Sequence, residues 1–423
     1  MKVFFSVGEP SGDLHGANLI RELRQACPDI DCVGYGGPKM AAAGCQLHAD
    51  LTELAVMWIL RALLNLHHFW RLFRRAGDYF RDHRPDAVVL IDYPGFNWWI
   101  ARAAKKHGIP VFYYGVPQMW AWAPWRVRKM RRLVDHVLCK LPFEADWYCQ
   151  RDCHATYLGH PYFDEVERQQ LDRAFCQAQS CRPGRLVTIL PGSRTQEVAK
   201  NLQGFLAAAR LIHREVPDAR FAIASFNDKQ AAMAREQLAE LDLPVEVFVG
   251  RTPELIHASH CCLACSGSVS LELLYHTKPT VILYQVGWFS YTVARRFFLR
   301  VKFITLVNLL AAADPFLRRG EHYDVDAASA EDVLFPEHLT CVDRAPQIAR
   351  QVARWLTDEA SYRDRVRDLQ ELKRQHALSG ASHRAATYIL QQLLPAAPLV
   401  GPHFDLAELN KVGKPGTKKE NSA

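Results

Sequence analysis

Residues 187–194 read Val187-Thr188-Ile189-Leu190-Pro191-Gly192-Ser193-Arg194, and this stretch decides the fold. A short apolar run that enters a Pro-Gly-Ser loop predicts a buried strand followed by a turn. Apolar side chains then recur at helical spacing from Val198 to Ile212. Glycine lets the backbone approach a ligand closely, and a helix start offers unpaired N–H groups to an anion. The stretch therefore predicts either a phosphate-binding loop or an ordinary strand-to-helix turn.

The chain opens with the same kind of unit. Val3-Phe4-Phe5-Ser6-Val7 is followed by Gly8-Glu9-Pro10-Ser11-Gly12-Asp13 and then by a helical pattern that contains Leu19 and Leu23. Apolar runs alternate with helical patterns along both halves, which is typical of parallel sheets covered by helices on both faces. Two halves that each begin in this way predict an α/β protein of two doubly wound domains.

Apolar runs bounded by turn residues mark the strands. They are predicted at 3–7, 31–35, 87–92, 111–114, 136–139 and 156–158 in the first half, and at 187–190, 220–224, 245–249, 261–265 and 280–284 in the second. The polar segment 172–184 contains Pro183-Gly184 and predicts a domain connection. We therefore expect domains at 1–165 and 185–340, C-terminal helices at 341–395 that could pack back on the first domain, and a mobile tail at 396–423.

The composition narrows the class of protein. A chain of 423 residues is too long for one hydrophobic core, and 49% apolar with 23% charged residues is ordinary for a soluble globular protein. Its 12 cysteines follow no disulfide or zinc spacing, so we expect a reducing cytosol and no metal. We also expect no cofactor. The sequence has no secretory signal pattern and no uninterrupted apolar stretch of bilayer length, which predicts a soluble or peripheral protein.

Asp92 closes the apolar run of the third predicted strand, and Tyr93-Pro94-Gly95-Phe96-Asn97 forms the turn after it. Ligands of doubly wound sheets bind at the carboxyl ends of strands, so Asp92 is a candidate general base, with a turn or helix-capping aspartate as the alternative. Glu9, Asp13 and His15 are expected to face the same edge. For Asp13 the helix N-cap is the favoured role.

A second glycine loop follows the strand predicted at 261–265. It reads Ser266-Gly267-Ser268 and leads into a helix that carries Glu272. Small residues at a strand end before a helix predict another phosphate cradle. Glu272 is placed to accept hydrogen bonds from ribose hydroxyls, and the alternative is an exposed helix glutamate.

Two segments combine aromatic and basic side chains. Residues 58–75 carry apolar, arginine and histidine side chains at helical spacing, which predicts either a core helix or a helix that dips into a lipid interface. Residues 119–132 contain Trp120, Trp122 and Trp125 and then five cations within seven residues. This pattern suits anionic lipid headgroups or a phosphorylated substrate, and it also suits single-stranded nucleic acid.

The motifs also occur in a specific order. They are Gly8-Glu9-Pro10-Ser11-Gly12-Asp13, Ile91-Asp92-Tyr93-Pro94-Gly95-Phe96-Asn97, Trp120-Ala121-Trp122, Leu141-Pro142-Phe143-Glu144, Leu158-Gly159-His160-Pro161, Leu190-Pro191-Gly192-Ser193-Arg194, Ser266-Gly267-Ser268 with Glu272, and Asn308-Leu309-Leu310. Over residues 1 to about 392 this set resembles the lipid-A-disaccharide synthase family, which consists of inverting glycosyltransferases with two Rossmann-like domains facing across a cleft (GT-B). Trp58 departs from the resemblance, because the family usually has glycine there.

The resemblance implies a reaction and its partners. UDP-2,3-diacylglucosamine would condense with 2,3-diacylglucosamine 1-phosphate to the β-1,6 lipid A disaccharide 1-phosphate, with release of UDP and without a metal. The donor would bind the second domain and the acceptor the first. The enzyme would be cytoplasmic and peripheral at the inner face of the inner membrane, on an anionic surface. The resemblance implies no nucleic-acid partner, and it leaves a homodimer open.

The resemblance also implies roles for individual residues. Asp92 would be the base, with Glu9, Asp13 and His15 beside it. The donor site would comprise Gly192, Ser193, Arg194, Ser266, Gly267, Ser268, Glu272 and Asn308. From their aromatic and basic character rather than from the resemblance, we expect contacts to the acceptor and the membrane from Trp58, Trp120, Trp122, Arg126, Arg128 and Lys129.

Two other functions compete with this one. Another UDP-sugar enzyme of the same fold, such as a soluble-acceptor transferase or an epimerase, is compatible with the fold alone. A non-catalytic RNA-binding protein could use residues 120–132, but that function leaves Asp92, Arg194 and Glu272 unexplained.

Overall fold

The structure is a computed structural model that describes residues 1–52, 66–239, 241, 243–293, 296, 299–317, 323–327 and 333–394. The chain divides into two compact units. The first unit is Met1–Asp164 together with the segment that begins at Leu378, and the second is Glu165–Ala377. Trp58 and the tail 396–423 lie outside the described residues.

The first unit is built on a sheet of seven parallel strands in the order β3-β2-β1-β4-β5-β6-β7. The strands are β1 (Lys2–Val7), β2 (Asp31–Gly36), β3 (Gln46–Asp50), β4 (Ala87–Ile91), β5 (Val111–Tyr114), β6 (His136–Cys139) and β7 (Ala155–Tyr157). The helices are α1 (Pro10–Ala26), α2 (Pro38–Ala42), α3 (Leu66–His83), α4 (Pro94–Lys106), α5 (Met119–Trp122), a 3-10 turn (Pro124–Arg126), α6 (Val127–Leu133), α7 (Pro142–Cys149) and α8 (Tyr162–Arg168). The boundary between the units falls within α8.

The second unit repeats this plan with six parallel strands in the order β10-β9-β8-β11-β12-β13. The strands are β8 (Leu186–Leu190), β9 (Arg220–Ser225), β10 (Val245–Val249), β11 (Cys261–Ala264), β12 (Thr280–Gln285) and β13 (Glu337–Thr340). The helices are α9 (Arg173–Ser180), α10 (Thr195–Glu215), α11 (Asp228–Leu238), α12 (Thr252–Ala258), α13 (Val269–Tyr275), α14 (Trp288–Val293), α15 (Leu306–Ala311), α16 (Ala345–Thr357) and α17 (Glu359–His376). None of the helices in the described part of the chain is long and apolar enough to cross a bilayer.

The predicted fold class of two doubly wound parallel α/β domains is confirmed. The predicted strands are present, and their ends differ from the prediction by at most one residue. The sequence did not predict the edge strands β3 and β13. Both are short and contain several polar residues, so neither has the apolar run that marked the other strands.

The C-terminal helices are divided between the units. Helices α16 and α17 belong to the second unit, where Ile348, Val352 and Trp355 of α16 join the core. Helix α18 (Ala381–Leu393) belongs to the first unit and packs against α1. It places Ala385 and Ile389 among the buried residues of that unit's core.

Strands β1 and β2 pair closely because Gly34 stands opposite Phe5. Gly34 has φ +140°, and a Cβ built there would lie 2.1 Å from the carbonyl oxygen of Phe5. The pairing of β2 with β3 also shifts by one residue at Gly34 and Tyr35. Backbone rather than a flexible side chain fills the space beside Gly34, so the strand pair cannot accommodate a side chain there.

We expect Gly34→Ala to lower the free energy of unfolding by about 2–4 kcal/mol, because the added Cβ combines backbone strain with a clash between strands. Chemical denaturation followed by tryptophan fluorescence measures the loss. The control is Gly77→Ala within α3, where no atom lies within 4 Å of the added Cβ. That variant should gain about 0.5–1 kcal/mol. Equal midpoints for the two variants would contradict the expectation.

Candidate active site

The sheet of the first unit has its topological switch point at β1, which pairs with β2 on one side and β4 on the other. Doubly wound folds bind ligands outside the carboxyl ends of the strands at such a point. Gly8 and Glu9 follow β1, and Asp92 follows β4. Parallel strands β1 and β4 are adjacent, so the structure brings these sequence-predicted residues to one edge.

Asp92 and Tyr93 have an unusual backbone. Their φ angles are +46° and +43°, in the left-handed region that residues with a Cβ rarely adopt. Two consecutive residues of this kind cost about 1–3 kcal/mol each, so the surroundings must hold them in place. Strain of this kind concentrates at functional sites.

Asn97 and Tyr113 hold the strained turn. The Nδ2 of Asn97 donates to the carbonyl oxygen of Asp92 at 2.8 Å, and the Tyr113 hydroxyl donates to the same oxygen at 2.6 Å. Asn97 is itself fixed, because its Oδ1 accepts from the Ser6 hydroxyl at 2.6 Å. The main chain of Asp92 is therefore hydrogen-bonded to Tyr113 of β5 and, through Asn97, to β1. These bonds fix the position from which its side chain extends. Asn97 closes the sequence motif Ile91–Asn97, and no role was predicted for it.

Lys140 is a site residue that the sequence analysis missed. Its Nζ lies 3.4 Å from Oδ1 of Asp92, and the two side chains are 13% and 20% exposed. Burial lowers the pKa of the Lys140 ammonium, but the carboxylates of Asp92 and Glu144 outweigh it and the net shift is upward. Lys140 directly follows β6, just as Asp92 directly follows β4. The position after a predicted parallel strand, which indicated Asp92, could therefore have indicated Lys140 as well.

Trp120 does not lie on the surface, which corrects its assignment to an acceptor or membrane contact. It is 1% exposed, and its indole Nε1 donates to Oε1 of Glu144 at 2.9 Å. The other oxygen of Glu144 accepts from the backbone N–H of Lys140 at 3.0 Å. Burial raises the pKa of the Glu144 carboxyl. Trp120 and Glu144 therefore support the start of the loop that carries Lys140.

Asp13 is also corrected. It lies in the first turn of α1, whose N-cap is Glu9, and its carboxylate does not cap that helix. It accepts instead from the backbone N–H groups of Gly37, Lys39 and Met40 at 2.9–3.1 Å. These groups form the start of α2. Both carboxylate oxygens are thus used to hold a loop, and Asp13 is unsuited to accept a substrate proton.

His15 and His160 are buried imidazoles near Lys140. Burial, with Lys140 and Lys39 adding to it, lowers the pKa of His15 to about 3. Burial followed by Lys140 lowers the pKa of His160 well below its ordinary value. No hydrogen-bond partner for His15 Nδ1 is found among the described residues. Both rings are therefore neutral near pH 7, and a proton on His15 would be disfavoured beside the ammonium.

The remaining aromatic and basic residues of 120–132 are at the surface. Trp125 is 60% exposed, and Trp122 carries the guanidinium of Arg126 over its ring at 4.7 Å. Arg128 and Lys129 are exposed on α6. The predicted surface of Trp122, Arg126, Arg128 and Lys129 is thus accessible, although its assigned partner stays a prediction.

Exposed aromatic residues also lie on α3 and α4, which pack against each other. Trp70 and Trp99 are about half exposed, and their rings lie 5.5 and 5.7 Å from the ring of Phe73 in tilted and edge-to-face contacts. Leu72 and Phe80 on α3 are buried instead. The described part of the segment 58–75 therefore has one face in the core and one exposed face, and its contact with a lipid interface stays a prediction.

The second unit has its switch point at β8, which pairs with β9 on one side and β11 on the other. The loop Gly192–Arg194 follows β8, and the loop Ser266–Ser268 follows β11. Leu190 and Ala264 are register partners, so the two loops leave the sheet side by side. The Ser193 carbonyl accepts from Gln230 and the Ser266 hydroxyl donates to the Ile304 carbonyl, which fixes both loops.

Arg194 is the N-cap residue of α10, a helix of 21 residues. Its side chain is 82% exposed, with Nη1 at 3.3 Å from Glu197 Oε1. Its backbone N–H donates to the other oxygen of Glu197 at 3.1 Å. A long helix with its positive dipole end at an exposed guanidinium favours an anionic ligand.

Glu272 lies in the first turn of α13 and is 3% exposed. It is not the exposed helix glutamate of the alternative interpretation. Its helix begins directly after the Ser266–Ser268 loop, so the carboxylate and the loop belong to the same strand end.

Asn308 is positioned differently from the expectation of a direct donor contact. It is buried, and its Nδ2 donates to the Phe335 carbonyl at 2.7 Å and to Glu337 Oε2 at 3.0 Å. Its Oδ1 accepts from the Phe335 N–H at 3.0 Å. Both amide protons are thus used internally, and Asn308 fixes the start of β13. Burial raises the pKa of its partner Glu337 to about 7.

Known proteins resemble this chain over most of its length. Residues 3–317 match the family model described as lipid-A-disaccharide synthetase. A protein of Geobacter sulfurreducens named lipid-A-disaccharide synthase is 33% identical over 395 residues, covering 93% of this chain and 97% of that protein.

Two solved structures resemble the fold. The S. aureus MnaA–UDP co-structure has a TM-score of 0.62 at 12% identity and covers 95% of this chain and 100% of that chain. Acinetobacter baumannii MurG has a TM-score of 0.54 at 12% identity and covers 92% of this chain and 99% of that chain. At such identities the likeness concerns the fold alone, which is the GT-B fold.

Proposed function

This chain belongs to the lipid-A-disaccharide synthase family, and from that membership we propose how its two strand-edge sites divide the reaction. The protein is a glycosyltransferase of lipid A disaccharide synthesis and acts on UDP-sugar and lipid-sugar substrates. Its donor is UDP-2,3-diacylglucosamine and its acceptor is 2,3-diacylglucosamine 1-phosphate. The product is the β-1,6-linked disaccharide 1-phosphate, and UDP is released.

The observation that carries this proposal is the strained and clamped Asp92 at the switch point of the first unit. The acceptor 6-hydroxyl is a poor nucleophile at neutral pH. Its oxygen bonds to the anomeric carbon of the donor while its proton passes to the Asp92 carboxylate. The bond from that carbon to the diphosphate oxygen breaks, and its electron pair leaves with UDP. One displacement inverts the anomeric centre, as a β-linked product from an α-linked donor requires.

The other base candidates are weaker. Both carboxylate oxygens of Asp13 accept hydrogen bonds from the start of α2, and His15 is buried near the Lys140 ammonium. Glu9 is exposed and close enough to raise the pKa of Tyr93, whose main shift comes from burial. Glu9 is therefore the alternative base, and a variant of Asp92 distinguishes the two.

The donor diphosphate binds at the second unit, between the Gly192–Arg194 and Ser266–Ser268 loops. Arg194 and the start of α10 compensate the charge that develops on the leaving UDP. Glu272 accepts from the ribose hydroxyls. Asn308 holds Glu337 and the start of β13 in place, and through them it supports the donor site.

The acyl chains and the acceptor phosphate bring the enzyme to the cytoplasmic face of the inner membrane. The lipid-facing surface comprises Trp70 and Trp99 on α3 and α4, with Trp122, Trp125 and the cations of α6. Helix α4 packs against both α3 and α6, so these side chains belong to neighbouring elements. Aromatic rings enter the headgroup region and cations bind anionic lipid, so the two together anchor a peripheral protein.

Asp92→Asn keeps the size and polarity of the side chain but cannot accept the proton. We expect kcat to fall by about two to four orders of magnitude, with UDP affinity nearly unchanged. Turnover of the two lipid substrates with product detection by mass spectrometry measures the first quantity, and calorimetry measures the second.

The matched control is Asp146→Asn, an exposed aspartate on α7 of the same unit, which should keep full turnover. Near-normal turnover of Asp92→Asn would remove it as the base and transfer the role to Glu9. A loss of UDP binding as large as the loss of rate would make Asp92 structural.

Arg194→Ala should weaken UDP binding by about 1.5–3 kcal/mol, because a charge-assisted contact to the diphosphate is lost. This corresponds to a Kd about 10- to 150-fold higher, measured by calorimetry. Arg210→Ala is the control, since Arg210 is an exposed arginine further along α10. Identical UDP affinity for both variants and the parent would place the diphosphate elsewhere.

Trp70 and Trp99 should contribute to membrane binding. We expect the parent protein to co-sediment with vesicles that contain anionic lipid, less so as salt rises, and the double change Trp70→Ala with Trp99→Ala to reduce the bound fraction several-fold. Phe226→Ala changes a still more exposed aromatic residue in the second unit and controls for general loss of hydrophobic surface. Bound fractions that do not differ between the double variant and this control would exclude the surface.

A further inference from the structure

We propose that Lys140 is a positioning residue for the transfer, whose ammonium holds the Asp92 carboxylate anion in the orientation that receives the acceptor proton. The inference rests on the proposed role of Asp92 as the base. It assigns a role to a residue of the β6 strand end that neither the motif analysis nor the family resemblance singled out.

The ion pair spans the sheet edge. Lys140 follows β6 and Asp92 follows β4, and β5 lies between them in the sheet. Gly115 is the residue that follows β5, and it has φ +64°. A Cβ at Gly115 would lie 3.6 Å from both Asp92 Oδ1 and Lys140 Nζ. These are ordinary van der Waals distances, so the end of β5 lies directly beside the ion pair.

The Asp92–Lys140 ion pair is largely buried and differs in this from a surface salt bridge. Its two side chains are 13% and 20% exposed, whereas most ion pairs of the described residues join more exposed groups. A flexible lysine gains little from a solvated partner, but a partly desolvated pair with fixed ends holds its geometry. The Asp92 end is fixed by Asn97 and Tyr113 and the Lys140 end by Glu144.

The surrounding charges direct the ammonium to carboxylates rather than to a substrate phosphate. Asp92, Glu144 and Glu9 all act on Lys140, and their combined effect exceeds that of burial. The imidazoles on its other side, His15 and His160, are neutral near pH 7. A phosphate dianion would therefore enter a predominantly negative surrounding, which disfavours it.

The geometry leaves the second carboxylate oxygen to the substrate. Oδ1 of Asp92 faces the ammonium, whereas Oδ2 faces Gly12, where an added Cβ would lie 3.8 Å away. Contact at one oxygen stops the carboxylate from rotating about its terminal bond. The oxygen that accepts the hydroxyl proton therefore already has the correct position before each reaction. Such orientation of a reacting group increases the rate.

Lys140→Met tests this role, because it keeps the length of the side chain and removes the charge. We expect kcat to fall about 10- to 100-fold, as for a displaced reacting group, while UDP affinity and the KM for the acceptor stay within about two-fold. Lys140→Arg keeps a cation and should retain more activity than Lys140→Met. Lys105→Met is the control, since Lys105 pairs with Asp135 in the same unit but outside the site.

The double variant with Asp92→Asn separates this inference from the proposed function. If Lys140 acts through Asp92, adding Lys140→Met to Asp92→Asn causes no further loss of kcat. Losses that multiply would show that Lys140 acts independently and would overturn the inference, as would a kcat of Lys140→Met within two-fold of the parent while Asp92→Asn is impaired. Near-normal turnover of Asp92→Asn would instead overturn the base role itself.

Folding of each variant is checked by chemical denaturation and by UDP calorimetry, which reports on the second unit. If Lys140→Met does not fold, Lys140→Gln replaces it in the same comparisons, because its amide keeps a polar end without the charge. Equal kcat for folded Lys140→Arg and the folded neutral variant would show that the charge is not what matters and would overturn the proposal.

Discussion

Parallel strands cannot be joined by tight turns, and this constraint organises both units. Each connection must cross a face of the sheet before the next strand begins, so all the strands of a unit end at the same edge. In the first unit that edge collects Glu9, Asp92 and Lys140 from three different strand ends. In the second it collects two glycine loops from adjacent strands. Chemistry scattered over the sequence thereby becomes two local sites.

The sequence predicted what depends on strand periodicity and failed where burial decides the role of a polar or aromatic side chain. Asp92 and the loops at Gly192 and Ser266 were predicted because each follows an apolar run. Trp120 was assigned to a surface because it stands with Trp122 and Trp125 just before five cations. Only the fold shows that its indole donates to Glu144. Asn308 and Asp13 were misassigned for the same reason, since their partners lie 24 or more residues away in sequence.

Strain and support occur together at the Asp92 turn. A left-handed pair of non-glycine residues is unfavourable by itself, and three side chains from β1, β5 and α4 oppose that cost with short hydrogen bonds. The result is a carboxylate whose main-chain origin does not move, with an ammonium at one of its oxygens. A rigid strand end positions the carboxylate without a conformational change, whereas a mobile loop would first have to close. Such placement requires a buried polar network whose donors and acceptors are all hydrogen-bonded.

Because α18 belongs to the first unit, the unit whose synthesis begins first cannot complete its core until the second unit has been synthesised. Five residues of α18 complete a core whose other buried members lie before Asp164, and the whole of Glu165–Ala377 is made in between; they are Ala385, Ala386, Tyr388, Ile389 and Leu390. A nascent chain therefore exposes the apolar face of α1 on the ribosome until α18 emerges. The second unit, contiguous in sequence, can finish folding first. Such long-range closure slows folding and prolongs the time during which a neighbouring chain can occupy the same groove.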